Sequence, residues 1–248
     1  MSEELFNLQY PSEVFIDNSK MKGVSGHLKR IEIKNSEFAG QAGNSGDYVF
    51  VENIVGGVSL GDVHFAHFLN NKFKGGEVDG AKNLLIENCQ TPLSYIATKV
   101  QNLMIYNCDI TNLFMEEAEI GHLTWCNVNY HTQRPTDSLV YYWEGSWNKS
   151  NIQEFNLYNV QISGEYPPVK GFKIGTINKD ESTILPALFL QAAQKQGVQT
   201  TCPPRPNVEQ LKQQALEAAP PKPLAQVQAF YSLSAGIQLP SRAVFPLI

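Results

Sequence analysis

A short phrase of apolar and polar positions recurs along the chain: a large apolar residue, a variable residue and then an asparagine. The copies are Ile33-Lys34-Asn35, Val51-Glu52-Asn53, Leu69-Asn70-Asn71, Ile86-Glu87-Asn88, Ile105-Tyr106-Asn107 and Trp125-Cys126-Asn127. The asparagine returns at a nearly fixed interval of roughly 18 residues, and such self-similarity indicates a stacked repeat. In a stacked repeat each unit buries its apolar face against its neighbours.

The positions around each asparagine predict the structure of the unit. Apolar residues stand four and two positions before the asparagine, and the position between the second of them and the asparagine is mostly polar, which is typical of a half-buried strand. A second apolar column follows seven or eight residues after the asparagines: Ala42, Leu60, Val78, Ile96 and Met115. Two strand columns per turn predict an all-β fold, a parallel β-solenoid whose rungs rise by about 4.8 Å.

The asparagines themselves have a structural explanation. At each corner of a coil the backbone leaves the ladder, and its amides need other partners. Asparagine tolerates left-handed φ and ψ and bonds nearby backbone. We therefore expect the asparagine side chains to stack into an amide ladder along the solenoid. The alternative is a polar stripe that binds a ligand.

The repeat also predicts the number of coils and their winding. Phe15-Ile16-Asp17 is a first copy with aspartate in the asparagine position, and Leu157-Tyr158-Asn159 is a later copy that follows Asn127 after a longer interval. We expect about eight coils. A left-handed hexapeptide helix would need an aliphatic residue at every sixth position, and that register meets Ala39 and Ser45. The sequence favours a right-handed parallel β-helix.

Composition divides the chain into three parts. Residues 1–14 are expected to cap the first coil, residues 15–180 to form the solenoid with an insertion at 129–152, and residues 181–248 to form a mostly helical, proline-rich tail. Nine of the 14 prolines fall in this tail.

Two short helices are expected within the tail. One spans Ser182–Gln196, with Ser182 or Thr183 as N-cap, and the other spans Asn207–Ala219, with Asn207 as N-cap. The apolar end, Leu239–Ile248, either covers the solenoid's last rung or docks on another subunit.

Charge and hydropathy restrict the partners and the compartment. A net charge of −5 and a pI near 5.6 argue against a nucleic-acid surface. No apolar run approaches the length of a membrane span, and the first residues lack the pattern of a signal peptide. We expect the chain to stay in the cytoplasm where it is made, or to act as a virion component or host-delivered effector.

The four cysteines predict a reducing compartment. They are too widely and irregularly spaced to match a zinc signature. Buried free thiols are the expected state. A Cys89–Cys108 bridge is the alternative, because the two residues share a column on adjacent rungs, whereas Cys126 and Cys202 have no obvious mates.

The insertion carries the candidate binding residues. Aromatic faces mixed with a few charged groups suit sugar stacking or a protein hot spot. The candidates are Tyr130, His131, Arg134, Tyr141, Tyr142, Trp143, Glu144 and Trp147. The structural alternative is a loop folded back over the sheet.

Two other groups of residues are weaker candidates for a functional site. His67 is expected in the core or at its rim, and the acids Glu116, Glu117 and Glu119 are expected on a solvated face.

The repeat over residues 15–178 resembles the right-handed parallel β-helix superfamily, the pectin-lyase-like proteins. The resemblance implies the architecture. The polygalacturonase phrases Asn-Thr-Asp, Asp-Asp and Gly-His-Gly do not occur, and Arg134-Pro135 is only a fragment of the lyase phrase Arg-x-Pro-x-x-Arg. Fold alone does not transfer function.

Two functions follow from these observations, and a third is weighed and set aside. The first is a non-catalytic solenoid, without cofactor or metal, that assembles with a protein partner or with its own copies through the terminal arm and the insertion. The alternative is a carbohydrate-binding or polysaccharide-degrading protein, in which Asp137, Glu144 or the Glu116–Glu119 acids supply the acid and base. A DNA-mimicking solenoid needs a dense acidic stripe, and the mixed column that includes Lys34 and Tyr106 does not provide one.

Overall fold

The structure is a computed structural model, and it describes residues 6–41, 45–90, 95–110, 115–132, 151–164 and 173–217. The strands are β1 (Phe6–Asp17), β2 (Lys20–Met21), β3 (Val24–Lys34), β4 (Glu37–Gln41), β5 (Ser45–Glu52), β6 (Val55–Leu69), β7 (Lys72–Glu87), β8 (Tyr95–Ile110), β9 (Met115–Thr132), β10 (Asn151–Gly164), β11 (Lys173–Lys179) and β12 (Ala193–Val198). The helices are α1 (Ala187–Ala192) and α2 (Val208–Glu217).

The strands form a parallel β-solenoid, as the repeat predicted. They stack in the order β1-β3-β5-β6-β7-β8-β9-β10-β11-β12, and β4 pairs with β2 and β6. Every one of the described strand pairs is parallel. β1 starts at Phe6, so the ladder already includes part of the segment that was expected to be a separate cap.

The core lies inside the coils and is built from columns of aligned apolar residues. One column is Ile31, Val49, Ala66, Leu84, Leu103, Leu123 and Phe155, and the column two residues later is Ile33, Val51, Phe68, Ile86, Ile105, Trp125 and Leu157. All of these residues are buried. The predicted second column is confirmed from Leu60 through Val78 and Ile96 to Met115, which pair in register. Ala42 lies outside the described residues.

The asparagine corners are confirmed by the backbone. The described non-glycine residues with positive φ are all asparagines, with φ from 49° to 55°: Asn18, Asn35, Asn53, Asn70, Asn88, Asn107, Asn127 and Asn159. Their side chains form the expected amide ladder. For example, Asn127 Nδ2 donates to Asn107 Oδ1 at 2.9 Å, and Asn159 Nδ2 donates to Asn127 Oδ1 at 2.9 Å.

Two corners lie one residue away from their predicted positions. The corner residues are Asn18 and Asn70, rather than Asp17 and Asn71. A slip of one residue moves side chains to the opposite face of a strand. His67, which was expected in an inward column, therefore lies in the outward column between Phe50 and Leu85.

The residue after each corner explains several polar side chains in the interior. Its backbone N–H points along the solenoid axis and donates a hydrogen bond to the side chain at the same position of the next coil. Ser36 Oγ accepts from Ser19 N at 3.1 Å, and Asn71 Oδ1 accepts from Ile54 N at 2.9 Å. Cys108 Sγ stands 3.4 Å from Cys89 N in the same role. Cys89 and Cys108 are buried free thiols, as expected, and not the alternative bridge.

Within the described ranges, a short helix and the strand β12 lie at the C-terminal end of the solenoid. The predicted helix Ser182–Gln196 is wrong: α1 is only six residues long and begins after Pro186, and the chain then forms β12, which pairs with β11. Phe189 of α1 is 1% exposed and packs on Phe155, with ring centroids 6.3 Å apart. The polar residues that follow α1 therefore extend the ladder instead of the helix.

The second predicted helix is confirmed as α2 within the described residues. Asn207 acts as its N-cap, because Asn207 Oδ1 accepts from Gln210 N at 3.1 Å. The terminal arm, Leu239–Ile248, lies outside the described residues, so the two expectations for it remain predictions.

Candidate functional site

A second apolar cluster lies on the outer face of the sheet. Its members are Phe50, Phe65, Leu85, Tyr106 and Cys126. Phe65 stands five positions before its asparagine corner, and the others stand one or three positions before theirs. Leu85 and Cys126 are 1% and 0% exposed. Outward positions of a solenoid normally face solvent, so this stripe needs a cover. We call it the outer stripe.

The cover is the proline-rich part of the tail. Cys202, Val208 and Leu211 pack against the outer stripe. Residues 202–212, which we call the C-terminal clasp, cross successive coils towards the N-terminal end of the solenoid, because Cys202 contacts the coil of Cys126 and Lys212 lies over the Phe50 ring at 5.6 Å. Proline fixes φ and keeps such a segment extended.

The distance that the clasp advances per residue matches the spacing between the rungs of the solenoid. Cys202 is bonded to Cys126, Pro203 O accepts from Tyr106 Oη at 3.1 Å, and Arg205 pairs with Glu87. Three residues in an extended proline-rich conformation rise by about 9 Å. Two rungs span about 10 Å. The clasp can therefore present side chains to one coil after another.

Glu87 is the charged centre beneath the clasp. Its side chain is 3% exposed, and its two oxygens have different partners: Oε2 lies 2.7 Å from His67 Nε2, and Oε1 lies 2.5 Å from Arg205 Nη1. Burial by itself raises the pKa of Glu87, but the hydrogen bonds to His67 and Arg205 outweigh burial and hold the pKa below its usual range. The carboxylate in turn raises the pKa of Arg205.

Tyr106 extends the polar centre by one coil. Burial and the nearby charge of Glu87 both raise the pKa of Tyr106. Its hydroxyl therefore remains a proton donor to Pro203 O at neutral pH. Besides the apolar side chains of the outer stripe, the clasp thus contacts one buried acid, Glu87, and one hydroxyl, that of Tyr106.

The disulfide between Cys126 and Cys202 overturns the expectation of four free thiols. The two sulfurs are bonded across 76 residues of sequence, with a Cα–Cα distance of 5.9 Å. The direction of the Cys126 side chain could have been read from the repeat. Cys126 precedes its asparagine and points outward, whereas Cys89 and Cys108 follow theirs and point inward. The position of Cys202 could not be read in this way, because it lies beyond the repeat.

A separate groove runs along another flank, at the bend between the two strand columns. It has a volume of about 560 Å³ and includes Lys82, Lys99, Glu119, His122 and Asn151 in its lining. Lys99, Glu119 and Asn151 are aligned on three successive rungs. The groove therefore presents lysine cations, a glutamate and an amide group on successive rungs of the solenoid.

Two glycines stand where neighbouring rungs approach closely, and one of them, Gly121, lines the groove. A Cβ on Gly121 would lie 2.6 Å from Gln101 O, and a Cβ on Gly175 would lie 2.5 Å from Gln153 O. His122, another lining residue, has its Nδ1 3.1 Å from Glu154 Oε2.

The predicted site residues are only partly described. Tyr130 is corrected from an insertion residue to a core residue: it is 0% exposed, pairs with Ile110 and Ile162, and packs on Trp125. The reason is that β9 continues to Thr132. His131 is exposed, with Nδ1 3.0 Å from Ser163 Oγ. The residues outside the described ranges are Arg134, Asp137, Tyr141, Tyr142, Trp143, Glu144 and Trp147.

The acids near the start of β9 are described to different extents. Glu119 is exposed and lines the groove. For Glu116 and Glu117 the structure describes the backbone in β9. Within the described ranges, no cluster of three or more His, Cys, Asp or Glu side chains is placed to hold a metal ion. No helix among these residues is long and apolar enough to cross a membrane.

The fold and its two surfaces define the class of protein as a parallel β-solenoid with a covered outer stripe and an open groove. Comparison of the chain with protein-family models, with curated proteins and with solved structures finds no match.

Proposed function

We propose that the protein is a non-catalytic β-solenoid that serves as an interaction module and assembles with other subunits. The predicted right-handed winding and the likeness to right-handed parallel β-helix proteins are part of this proposal. The contact surface is the aromatic insertion, together with the terminal arm. The partner that we put first is a further copy of the chain.

The observation that carries the proposal is how the insertion joins the ladder. β10 resumes pairing with β9 at Asn151 opposite Glu119 and continues in register to Gly164 opposite Thr132. Nevertheless, the corner at Asn159 lies 32 residues after the corner at Asn127, which itself lies 20 residues after Asn107. The strands thus pair in register on both sides of the insertion, and the extra residues between β9 and β10 are not required for this pairing. Added segments on a rigid scaffold often carry function.

The composition of the insertion suits a protein contact. Its candidates include Tyr141, Tyr142, Trp143 and Trp147, and large aromatic residues dominate the binding energy of protein interfaces. The buried acid Glu87 is meanwhile engaged in an ion pair with Arg205. Glu87 is the most buried carboxylate among the described residues, and this use of it supports a structural rather than a catalytic role.

Sedimentation velocity of the full chain tests the proposal. The test variant replaces Tyr141, Tyr142, Trp143 and Trp147 by Ser. We expect the wild type to associate with rising concentration and the variant to remain monomeric at an unchanged melting temperature. A wild-type chain that stays monomeric throughout contradicts self-assembly, and a variant that associates equally contradicts the insertion as the contact surface.

The matched control replaces exposed apolar residues elsewhere. Val55, Ile184 and Val198 are 40%, 62% and 78% exposed. Their replacement by Ser removes apolar surface without touching the insertion. We expect this control to associate like the wild type, which separates a specific contact from general surface hydrophobicity.

Glycan binding in the groove is the second candidate, and the groove itself favours it. Lys82, Lys99 and Asn151 provide donors along the solenoid axis, and Asn151 is also where the aromatic insertion returns. A row of donors suits the hydroxyl groups of an extended sugar chain. A glycan array should show binding that is lost in Lys82→Ala/Lys99→Ala and kept in Lys20→Ala, a lysine outside the groove. A blank array removes this candidate.

A further inference from the structure

We propose that the C-terminal clasp is a redox-controlled cover: thiol reduction of the Cys126–Cys202 disulfide releases it from the outer stripe while the solenoid stays folded. This inference concerns a different surface from the insertion and does not depend on the proposed function.

The clasp is joined to the solenoid differently from β12, which precedes it in the chain. Gln199 N donates to Lys179 O at 3.0 Å where the chain leaves the ladder. From there the contacts described above are all made by side chains or to one carbonyl: the disulfide, the bond from Tyr106 to Pro203 O, the ion pair with Glu87, Lys212 over the Phe50 ring, and apolar packing. β12, by contrast, is paired with β11 along its backbone. A strand in a ladder opens with its neighbours, whereas a segment held mainly by side chains can open by itself.

The disulfide has an accessible side. Cys202 is partly exposed, and Cys126 is buried. A thiolate of a dithiol reductant attacks Sγ of Cys202, and Sγ of Cys126 leaves as a thiolate that takes up a proton. The second thiol of the reductant then displaces Cys202, so two protein thiols form and the dithiol becomes a disulfide.

The other two cysteines do not compete in this exchange. Burial raises the pKa of Cys89 and of Cys108 to about 12. Because the thiolate is the reactive form, these two thiols stay inert in the folded protein. The described part of the chain therefore contains one reducible pair and one pair of structural thiols, and an alkylating reagent can distinguish them.

Release changes the surface of the solenoid. The clasp covers Phe50, Leu85 and Tyr106, and it supplies Arg205 to the buried acid Glu87. Without the disulfide the clasp retains an ion pair in which the Arg205 side chain is 64% exposed. Glu87 is 3% exposed beneath the closed clasp, but opening the clasp returns both charges to water, so the pair by itself contributes little to holding it closed. Reduction should therefore shift the clasp from mostly closed to frequently open.

Hydrogen exchange of the full chain tests the proposal, with mass spectrometry after alkylation to assign the redox state. We expect the amides of α2 to exchange at least about tenfold faster after dithiothreitol treatment, in line with the loss of a cross-link. Amides of β7, β8 and β9 should keep their protection. Cys126 and Cys202 should become alkylated only after reduction, and Cys89 and Cys108 should remain unmodified.

The variant Cys202→Ser provides a second, independent arm. It should exchange at α2 as the reduced wild type does, and dithiothreitol should change it no further. Cys108→Ser is the matched control, because serine preserves a hydrogen-bonding side chain at the corner and leaves the disulfide intact. It should behave like the wild type in both redox states.

Three results overturn the proposal. In the first, α2 exchanges equally fast before and after reduction. In the second, the strands lose protection together with α2, which makes the disulfide a global rather than a local restraint. In the third, Cys126 and Cys202 are alkylated without reductant, so that no bridge holds the clasp.

Discussion

Arg205 Nη1 lies 2.5 Å from Oε1 of Glu87, although 118 residues separate them. The other oxygen of this carboxylate faces His67, so the acid is held between a coil of the solenoid and the tail. A buried carboxylate without partners is costly. The ion pair therefore links the fold of the tail to that of the solenoid.

Loss of the carboxylate should destabilise the protein more than loss of its exposed partner. Glu87→Ala leaves His67 and Arg205 without an acceptor, and we expect the free energy of unfolding to fall by about 1–3 kcal/mol. Arg205→Ala removes a mostly exposed side chain and should lower it by about 1 kcal/mol or less. Urea denaturation measures both. An Arg205→Ala variant that loses more than Glu87→Ala contradicts this order.

Acid should weaken the same contact. The pKa of Glu87 is lowered in the folded protein, so its ion pair contributes fully above the ordinary glutamate pKa, which is about 4.3. The contribution is lost as the pH falls through the lowered folded value. We expect stability to decline below about pH 4, and Glu87→Gln to show a shallower decline.

The share of Glu87 in this decline can be isolated by comparison. Asp180, whose pKa is also lowered, titrates in the same direction, so only the difference between wild type and Glu87→Gln reports on Glu87. Urea denaturation of both proteins as a function of pH measures this difference. Identical pH profiles would contradict the expectation.

The solenoid could be predicted from the sequence because its contacts are nearly periodic. Each rung repeats the same environment, with bonded corner asparagines 18 residues apart in one place and 20 residues apart in another, so one phrase in the sequence reports one corner. The register failed where two candidates stood side by side, at Asn70 and Asn71. Both are asparagines, but only Asn70 has the left-handed φ, and Asn71 instead accepts from Ile54 N.

The clasp could not be predicted because its contacts have no period. Cys126 meets Cys202 across 76 residues, and Glu87 meets Arg205 across 118. What the sequence does contain is a set of outward positions occupied by unusual residues, such as Tyr106 and Cys126. Apolar or sulfur-containing side chains at outward positions of a solenoid indicate a covered face, without indicating what covers it.

The corner asparagines should be replaceable by glycine more easily than by alanine. Asn127 has φ 54° and bonds to Asn107 and Asn159. Asn127→Ala places alanine, whose side chain cannot form a compensating hydrogen bond, in the left-handed region, and it loses both ladder bonds. Together these effects should lower the free energy of unfolding by about 1–3 kcal/mol. Asn127→Gly loses the bonds alone and should be more stable than the alanine variant by about 1 kcal/mol.

Asn129→Ala is the control for this comparison. Asn129 is exposed, and its Nδ2 donates to Asp109 Oδ1 at 2.9 Å, but its backbone is not among the described residues with positive φ. Its replacement should change the free energy of unfolding by only about 0.5 kcal/mol. If alanine and glycine at position 127 are equally destabilising in urea, the backbone conformation is not what the asparagine provides.

Trp125, the largest fully buried side chain among the described residues, allows the contribution of packing to be compared with the cost of an unpaired donor. Trp125 is 0% exposed, its ring meets Phe155 edge-on with centroids 5.3 Å apart, and its Nε1 has no hydrogen-bond partner among the described residues. Trp125→Ala should cost about 3–5 kcal/mol, because it leaves a cavity between rungs. Trp125→Phe also removes volume, but it removes the unpaired donor as well, and leaving such a donor buried costs about 1–3 kcal/mol. We expect these terms largely to offset each other, so that urea denaturation places Trp125→Phe within about 1.5 kcal/mol of the wild type. A phenylalanine variant as unstable as the alanine variant would contradict this offset between lost volume and the removed donor.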